Sequence, residues 1–264
     1  NISTSIDEGK IYCLLGCNGA GKTTLMNLIA GRINCDSGII DIDGTKVCTS
    51  SMPSSISFID SLSVQFNTQT KKLIDMAGAL NSKFDKAFAL EMARKFRLNL
   101  DKKYGQLSFG MKTMFNTLIN LASGKKIVLL DEPLLGLDAV VRNKFYSILN
   151  ESMLHSQRTI IISTHLIDEM IKYAEELIIM DKGSIIFRCT TNDIDEKALS
   201  ITGITSHIES LDNSINIFAK KQVGKYTTAY LYDDINNIPK GFSAQHIGLQ
   251  EFFINMVGGD YDEE

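Results

Sequence analysis

The sequence lacks any uninterrupted apolar run long enough to cross a lipid bilayer. A spanning helix needs about 18–20 consecutive apolar residues, and no stretch of the 264 residues approaches that length. The start of the chain also lacks the apolar core of a secretory signal peptide. We therefore expect any role at a membrane to depend on a partner protein.

An excess of positive charge is missing as well. The net charge of −4 provides no basic footprint, which argues against a dedicated nucleic-acid-binding protein. Apolar residues make up 44% of the chain and charged residues 22%, which is ordinary for a soluble globular protein that buries a core. A chain of 264 residues has room for one large domain, or for a domain and an appendage.

Paired cysteines and clusters of metal ligands are absent too. The five cysteines form no CxxC pair, and their odd number does not describe a disulfide framework, so we expect reduced thiols in a cytosolic protein. Cysteine and histidine show no spacing typical of a structural metal site. Cys17 has two interpretations: a reactive thiolate favoured by a helix N-terminus and Lys22, or a small residue that fills a loop position.

The most informative feature of the chain is a glycine-rich segment between two apolar runs. It follows residues 11–15 and precedes residues 25–30, so the pattern predicts a strand, a loop and a helix, the arrangement of a P-loop. In such a loop, backbone N–H groups and the helix N-terminus bind phosphates, a lysine reaches the β- and γ-phosphates, and a hydroxyl ligates Mg²⁺. The residues that we expect to bind the nucleotide are Asn18, Gly19, Ala20, Gly21, Lys22, Thr23 and Thr24.

Strand-like and helix-like patterns alternate along the first 190 residues. Apolar residues recur at helical spacing over 70–122, separated by polar breaks, and predict a helical insertion. Strands that alternate with helices predict an α/β fold whose sheet is largely parallel and covered on both faces. The predicted strands are 38–44 (an edge strand), 56–59, 127–132, 159–163, 177–180 and 184–187, and the predicted helices are 139–154 and 166–173.

The remainder of the chain has a different pattern. It predicts short strands at 201–204, 215–218 and 225–232. An amphipathic helix is predicted at 249–257 and a solvated acidic tail at 260–264. Tyr226, Tyr230 and Tyr232 share one strand face. This face could be a docking surface, but we favour ordinary packing against the helix. The prediction is a domain over 1–190, with a helical subdomain at about 67–123, and an accessory region over 196–264. Because the chain begins at Asn1 and not Met, we expect a segment to precede it.

Two carboxylates and a histidine follow predicted strands. Asp131 and Glu132 end an apolar run; the first is placed to hold Mg²⁺ together with Thr23, and the second to orient or deprotonate an attacking water. His165 follows another apolar run at a strand's C-terminal end, where ligands gather in open α/β sheets, and its imidazole can donate to a γ-phosphate. The predicted catalytic residues of a nucleotide hydrolase are therefore Lys22, Glu132 and His165.

Together these elements resemble the ATP-binding subunit of an ATP-binding cassette (ABC) transporter, over about residues 1–190. Residues 107–112 (LSFGMK) are similar to the family's signature segment, residues 135–138 (LGLD) to its D-loop, and residues 163–165 (STH) to its switch histidine. The resemblance implies a P-loop NTPase fold. Such a fold has a RecA-like core with a largely parallel sheet and an inserted helical subdomain, here followed by a small C-terminal α+β extension.

The resemblance also implies partners. In that family two cassettes clasp two ATP molecules, so Ser108 and Gly110 would contact the nucleotide held by the opposite subunit and Asp138 would couple the two sites. A single cassette per chain implies a homodimer or a dimer with a related subunit. It further implies ATP and Mg²⁺ as cofactors and an integral membrane transport subunit at the cytoplasmic face of the membrane, with no direct nucleic-acid contact.

The sequence departs from the family in several places. Phe109 and Met111 stand where the family has glycine and glutamine. The position of the glutamine that touches Mg²⁺ falls on Asp60 or Ser61, with Gln65 slightly too late. The aromatic residue that stacks on adenine lies upstream in the family, and Tyr12 is a poor substitute because it belongs to a predicted buried strand.

The favoured function is Mg²⁺-dependent ATP hydrolysis that powers export through a separate membrane subunit. The C-terminal helix around 250–253 resembles that of exporter cassettes for drugs, bacteriocins or small peptides. One alternative is a soluble cassette that acts on ribosomes, nucleic acid or cofactor assembly, but the chain lacks a second cassette and coiled-coil arms. Another is a cassette that binds ATP without hydrolysing it, which the presence of Lys22, Asp131, Glu132 and His165 disfavours.

Overall fold

Twelve strands and nine α-helices are found in the computed structural model, which describes residues 1–59, 67–211, 215–239 and 241–258. The strands are β1 (Ile11–Leu15), β2 (Asp41–Ile42), β3 (Thr45–Lys46), β4 (Ile56–Phe58), β5 (Ile127–Asp131), β6 (Thr159–Ser163), β7 (Glu176–Asp181), β8 (Ser184–Thr190), β9 (Ala198–Ile204), β10 (Ile217–Val223), β11 (Tyr226–Tyr232) and β12 (Ala244–His246). The helices are α1 (Lys22–Ile29), α2 (Thr70–Leu80), α3 (Lys86–Lys95), α4 (Phe109–Ala122), α5 (Ala139–His155), α6 (Ile167–Met170), α7 (Thr191–Lys197), α8 (Thr205–Glu209) and α9 (Leu249–Gly258).

The main sheet has six strands in the order β4-β5-β6-β1-β7-β8. Every neighbouring pair is parallel except β7 and β8, which form an antiparallel pair at one edge. The α/β class and the largely parallel sheet are thus confirmed. Because β1 lies between β6 and β7, the loop that follows β1 lies near the C-terminal ends of β5 and β6. The residues that follow these parallel strands therefore lie at the same edge of the sheet.

Side chains of the central strands alternate between two packed layers. On β1, Ile11, Cys13 and Leu15 belong to one layer, and Tyr12 and Leu14 to the other. Helix α1 packs in the second layer through Met26, whereas α4, α5 and the C-terminal helix α9 pack in the first. The nucleotide-loop helix and the C-terminal helix therefore lie on opposite faces of the sheet.

The predicted edge strand at 38–44 is wrong. Only Asp41–Ile42 is a strand, and it pairs with Thr45–Lys46 in a two-stranded sheet of its own. The two residues between these strands, Asp43 and Gly44, have φ of 53° and 76°, the left-handed pair that a tight type I′ hairpin requires. The hairpin turns the chain back before it reaches the main sheet, and Ile39 is left 71% exposed.

The helical insertion between β4 and β5 is confirmed and consists of α2, α3 and α4. Its longest member, α4, is buried along most of its length, at residues 113–118 and 120–122. Asp85 begins α3 by accepting a 2.8 Å hydrogen bond from the Phe88 N–H, an N-cap that the sequence signals with a carboxylate before an apolar run. Helix α6, predicted over 166–173, is only one turn long.

The C-terminal region forms a second sheet, antiparallel, in the order β10-β11-β9-β12. One of its faces has its own apolar cluster, which includes Leu199, Ile201, Ile208 and Leu231. The predicted strands and the last helix are present, while α7, α8 and β12 were not predicted, since these short elements bury too few residues to show a period. The expected acidic tail lies outside the described residues.

Tyrosines of β11 pack against neighbouring aromatic residues, including one in the C-terminal helix. The Tyr232 ring lies 5.9 Å from the ring of Phe252 in α9, and Tyr230 lies 6.4 Å from Phe218 in β10. Tyr226, at the other end of the strand, is 48% exposed. Among the described residues, none of the helices is both long and apolar enough to span a membrane.

Candidate active site

The glycine-rich loop connects β1 to α1, as predicted. Gly21 is the N-cap of α1 with φ of 100°, a left-handed conformation that glycine adopts without steric cost. In the described part of the chain no side chain caps this helix, so its first N–H groups are available to an anion. The loop residues exposed around this helix start are Asn18, Gly19, Thr23 and Thr24, whereas Ala20 is buried.

Lys22 is buried, with 7% of its surface exposed, and lies over its own loop. Its Nζ donates hydrogen bonds to the carbonyls of Gly16 at 2.7 Å and Cys17 at 3.3 Å. The ammonium is therefore already placed at the mouth of the loop, where phosphate oxygens can replace the carbonyls as acceptors. The side chain of Cys17 packs against the main core layer, which favours its interpretation as a small residue that fills the loop.

Thr23 and Asp131, predicted from separate motifs, meet at the same edge. The Thr23 hydroxyl donates a 2.8 Å hydrogen bond to Asp131 Oδ2. Hydroxyl and carboxylate oxygens are the hard donors that Mg²⁺ prefers, and Mg²⁺ commonly takes its other ligands from water and substrate phosphates. Within the described ranges no three His, Cys, Asp or Glu side chains form a metal cluster. Thr23 and Asp131 supply a hydroxyl and a carboxylate oxygen, which fit two of the ligand positions of Mg²⁺.

Ser163 is a site residue whose role no sequence motif indicated. Its buried hydroxyl donates to Asp131 Oδ1 and accepts a 3.1 Å hydrogen bond from the Glu132 N–H. The register of β5 against β6 pairs Asp131 with Ser163 directly, which brings them together. Its position at the end of an apolar run is a sequence signal for a site residue. The pairing of β5 with β6, however, cannot be read from the sequence of either strand.

Glu132 adopts a left-handed backbone conformation, with φ of 47°. This conformation costs a non-glycine residue about 1–2 kcal/mol, and here the Glu132 N–H is held by both the carbonyl and the hydroxyl of Ser163. The turn directs the carboxylate toward His165, whose Nδ1 lies 2.9 Å from Glu132 Oε2. The structure thus places the predicted base beside the predicted switch histidine, which is half exposed.

The signature-like and D-loop-like segments contact each other within the chain. Ser108 caps α4 by accepting from the Met111 N–H at 3.3 Å, and Asp138 caps α5 by accepting from the Val141 N–H at 2.9 Å. Gly136, with φ of 75°, lies against Phe109: a Cβ at Gly136 would stand 2.8 Å from Phe109 Cδ1.

Gly110 is equally tight in this contact. A Cβ there would stand 2.8 Å from the Gly136 carbonyl oxygen. Among the described residues, the hydrogen bonds of Ser108 and Asp138 stay within α4 and α5. The structure therefore does not bring Ser108, Gly110 or Asp138 to this chain's own glycine-rich loop.

Tyr12 does not face the loop. Its side chain is fully buried, its hydroxyl accepts a 2.8 Å hydrogen bond from the Asp7 N–H, and burial raises its pKa. A ring held in this way is not available to stack on a base. The positions considered for a metal-contacting glutamine, Asp60, Ser61 and Gln65, lie outside the described residues.

Comparison with known proteins finds similarity to ATP-binding subunits of ABC transporters. The family described as ABC transporter matches residues 1–135. The ABC transporter ATP-binding protein YtrB of Bacillus subtilis is 26% identical over 98% of this chain and 92% of its own length. The lantibiotic transport ATP-binding protein SrtF of Streptococcus pyogenes is 31% identical over 70% of this chain and 81% of its own. The energy-coupling factor transporter ATP-binding protein EcfA2 of Staphylococcus epidermidis is 25% identical over 70% of each.

Solved structures agree on the fold. The ATP-binding subunit of an ABC transporter superposes with a TM-score of 0.66 at 24% identity, over 74% of this chain and 84% of that chain. A dimeric ATP-binding cassette in a post-hydrolysis state, bound to ADP and Pi, gives a TM-score of 0.62 at 19% identity, over 72% of this chain and 89% of that chain. At these identities the likeness establishes the P-loop NTPase fold.

Proposed function

Because the chain belongs to the ABC transporter family, as an ATP-binding subunit with ATPase activity, we propose that its ATP hydrolysis powers export through a separate membrane subunit. The observation that carries this proposal is the convergence of two residue pairs, Thr23 with Asp131 and Glu132 with His165, at the sheet edge where Lys22 lies. The substrate class we propose is a peptide, bacteriocin or drug-type molecule. The similarity to a protein named for lantibiotic transport supports this class.

Lys22 and the start of α1 bind the nucleotide in this proposal. The ammonium exchanges its two carbonyl acceptors for oxygens of the β- and γ-phosphates. The N–H groups of the first turn of α1, which no side chain of the described residues caps, donate to the same phosphates. Asn18, Gly19, Ala20, Gly21 and Thr24 complete the loop. The phosphate oxygens carry negative charge and the carbonyls do not, so the attraction between opposite charges favours the exchange.

Glu132 is the general base in this proposal. It accepts a proton from the water whose oxygen attacks the γ-phosphorus, the bond from phosphorus to the bridging oxygen breaks, and ADP and phosphate are the products. A positioned base contributes about 10²–10⁴-fold to the rate. His165 orients the carboxylate through the 2.9 Å contact and lies on the solvent side, where a γ-phosphate would come within its reach.

Thr23 and Asp131 would hold the Mg²⁺ that accompanies the nucleotide. When bound, the ion neutralises charge on the phosphate oxygens. Ser163 keeps the Asp131 carboxylate turned toward Thr23 through the hydrogen bond to its second oxygen. Asp131→Asn should therefore raise the Mg²⁺ concentration needed for half-maximal activity, since a neutral amide is a weaker ligand for a hard cation.

A second cassette subunit and a membrane subunit complete the proposed assembly. Ser108 and Gly110 serve the nucleotide of the opposite subunit, through a hydroxyl and an N–H at the start of α4, and Asp138 couples the two sites. The dimeric cassette among the structural neighbours supports this arrangement. We propose a position on the cytoplasmic face of the membrane with no direct nucleic-acid contact, a cassette domain over 1–190 that contains a helical subdomain at 67–123, and an accessory region over 196–264.

Affinity purification in mild detergent tests the assembly. Tagged protein from its native cells should retain a multi-spanning membrane protein in stoichiometric amount. Vesicles that contain both proteins should accumulate a labelled antimicrobial peptide or drug when ATP is added on the cassette side. Ribosomal or assembly proteins without a membrane companion would overturn the transporter proposal in favour of a soluble cassette, and movement of solute in the opposite direction would overturn export.

Lys22→Ala provides the activity control for this experiment. The variant should abolish ATP binding and transport but keep the membrane companion, since the loop is not the expected contact. Lys46→Ala, at an exposed position on the β2–β3 hairpin, is the matched substitution and should leave both unchanged.

A further inference from the structure

The segment that carries His165 leads into a very short helix. Helix α6 has four residues, Ile167–Met170, and begins two residues after the imidazole. One helical turn is not stable by itself in water, because helix nucleation is unfavourable. No side chain of the described residues caps α6, so the position of this turn, and of His165 before it, depends on what packs around it.

On one side α6 is fastened to α5. Glu169 forms an ion pair with Arg142 at 3.2 Å and accepts a 3.1 Å hydrogen bond from the Tyr146 hydroxyl. Tyr146 also stacks on Tyr173, just beyond α6, with ring centroids 4.2 Å apart and planes 6° from parallel. These contacts hold the far end of the segment against the core.

On the other side α6 packs against the C-terminal helix α9. Ile167 and Met170 of α6 belong to the same buried layer as Leu249 and Phe252 of α9, and both Met170 and Phe252 are fully buried. The turn after His165 is thus held between a helix of the cassette core and a helix from the far end of the sequence.

Helix α9 is itself anchored by aromatic rings from both sheets. The ring of Phe252 lies 5.0 Å from that of Phe187 in β8, 4.8 Å from Phe218 in β10 and 5.9 Å from Tyr232 in β11. A displacement of the second sheet would therefore displace α9, because these rings interlock through direct contact.

A cavity separates α9 from the imidazole. It has a volume of about 170 Å³ and is lined by His165, Leu166, Ile167, Glu169 and Gln250. Gln250 is the residue of α9 in this wall. The cavity is open to solvent and leaves space beside the imidazole, and Gln250 faces that space from α9.

We propose that α9 positions His165, with Gln250 as the residue through which the C-terminal region acts on the imidazole. This inference rests on the proposed role of His165 in hydrolysis. Helix α1, whose start binds the nucleotide in the proposed function, packs on the opposite face of the sheet from α9. A change in α9 should consequently alter the chemical step and leave ATP binding intact.

Gln250→Phe tests the proposal in the full chain, because a larger side chain at this exposed position fills the cavity without disturbing the core. The expected result is a fall in kcat of about tenfold with the KM for ATP within about twofold of the parent value. The chain has four histidines, so the ¹³Cε1 ring signals form a simple NMR spectrum in which His165→Gln identifies the signal of interest. That signal should shift in Gln250→Phe.

Ile254→Phe is the matched control. Ile254 is 55% exposed, lies one turn further along the same helix and does not line the cavity, so kcat and the His165 signal should stay at their parent values. An unmoved His165 signal together with an unchanged kcat in Gln250→Phe would overturn the positioning role. A shifted signal with an unchanged kcat would support the positioning role and contradict the hydrolytic role of His165. Full activity in His165→Ala would also contradict the hydrolytic role.

Discussion

The Nδ1 atom of His165 lies 2.9 Å from the Oε2 atom of Glu132, although 33 residues separate them in sequence. With Glu132 ionised, the carboxylate only accepts hydrogen bonds, and Nδ1 is then the donor of this contact. A neutral ring then has an acceptor, not a donor, at Nε2. Donation from His165 to a γ-phosphate, as the sequence led us to expect, therefore requires either a doubly protonated ring or release of Glu132.

Glu132→Gln should retain the contact with His165, because the amide oxygen can still accept, but remove the base. We expect kcat to fall by about 10²–10⁴-fold, or about 3–5 kcal/mol of activation free energy. ATP should remain bound and hold two subunits together. The measurement is phosphate release at saturating ATP, with light scattering for the molecular mass.

Glu8→Gln removes an exposed carboxylate far from the site and should change neither quantity. A Glu132→Gln variant that stays monomeric under saturating ATP would exclude self-dimerisation and leave a dimer with a related subunit.

Ser163→Ala should be costly although the change is small. It removes the donor to Asp131 and one acceptor of the Glu132 N–H, so we expect the free energy of unfolding to fall by about 1–3 kcal/mol and kcat to fall with it. Ser152→Ala is a matched control, since Ser152 is also buried but its hydroxyl has no partner among the described residues. Denaturant unfolding of both variants compares them, and equal losses would contradict the special role of Ser163.

Gly136→Ala should separate the segments 107–111 and 135–138. The added Cβ would approach Phe109 Cδ1 to 2.8 Å, and the φ of 75° adds about 1–2 kcal/mol of backbone strain. Gly9→Ala is the control for the backbone strain alone. Its φ is 78°, and apart from its chain neighbours no described atom lies within 4 Å of the added Cβ.

The double variant Phe109→Ala with Gly136→Ala should recover the steric part of this loss. ATP-driven dimerisation in the Glu132→Gln background and thermal unfolding measure the two effects. Additive losses in the double-mutant cycle would mean that Phe109 and Gly136 do not act as a unit.

The pair Asp193 and Lys197 in α7 should make stability depend on pH. Hydrogen bonds from Lys197 and Thr190 lower the pKa of Asp193 below its ordinary value. A carboxyl group with a lowered folded-state pKa binds its proton more readily in the unfolded chain. Its contribution is therefore complete above about pH 4–5 and is lost as the pH falls through the lowered pKa.

Asp193→Asn should accordingly reduce the free energy of unfolding by up to about 1 kcal/mol at pH 7, and by progressively less toward pH 3. Asp195→Asn, at an exposed position in the same helix, is the control for the substitution itself. A difference between Asp193→Asn and the parent protein that is constant from pH 3 to pH 7 would contradict this assignment.

Local patterns predicted the elements of the main sheet better than the small elements outside it. Buried parallel strands such as β1 and β6 are apolar along most of their length, so their positions are readable from composition alone. The edge strand expected at 38–44 failed because the two left-handed residues at 43–44 turn the chain into a hairpin, and turn chemistry overrides an alternating pattern.

The amino-acid sequence by itself determined the glycine-rich loop, the strand that ends in Asp131 and Glu132, and the placement of His165 after another strand. These features are local, since each depends on a few consecutive residues and on the strand or helix that they favour. The chemistry of the site could therefore be read before its geometry was known.

Only the tertiary structure decided which of these residues meet. The register of β5 against β6 pairs Ser163 with Asp131, the fit of Phe109 against Gly136 joins two loops, and the packing of α9 against α6 brings Gln250 to the cavity beside His165. Such contacts depend on strand order and on the complementary shapes of buried side chains across long sequence separations. No local pattern encodes these contacts, because each residue of a contacting pair fits its own strand, helix or loop whether or not the second residue is near.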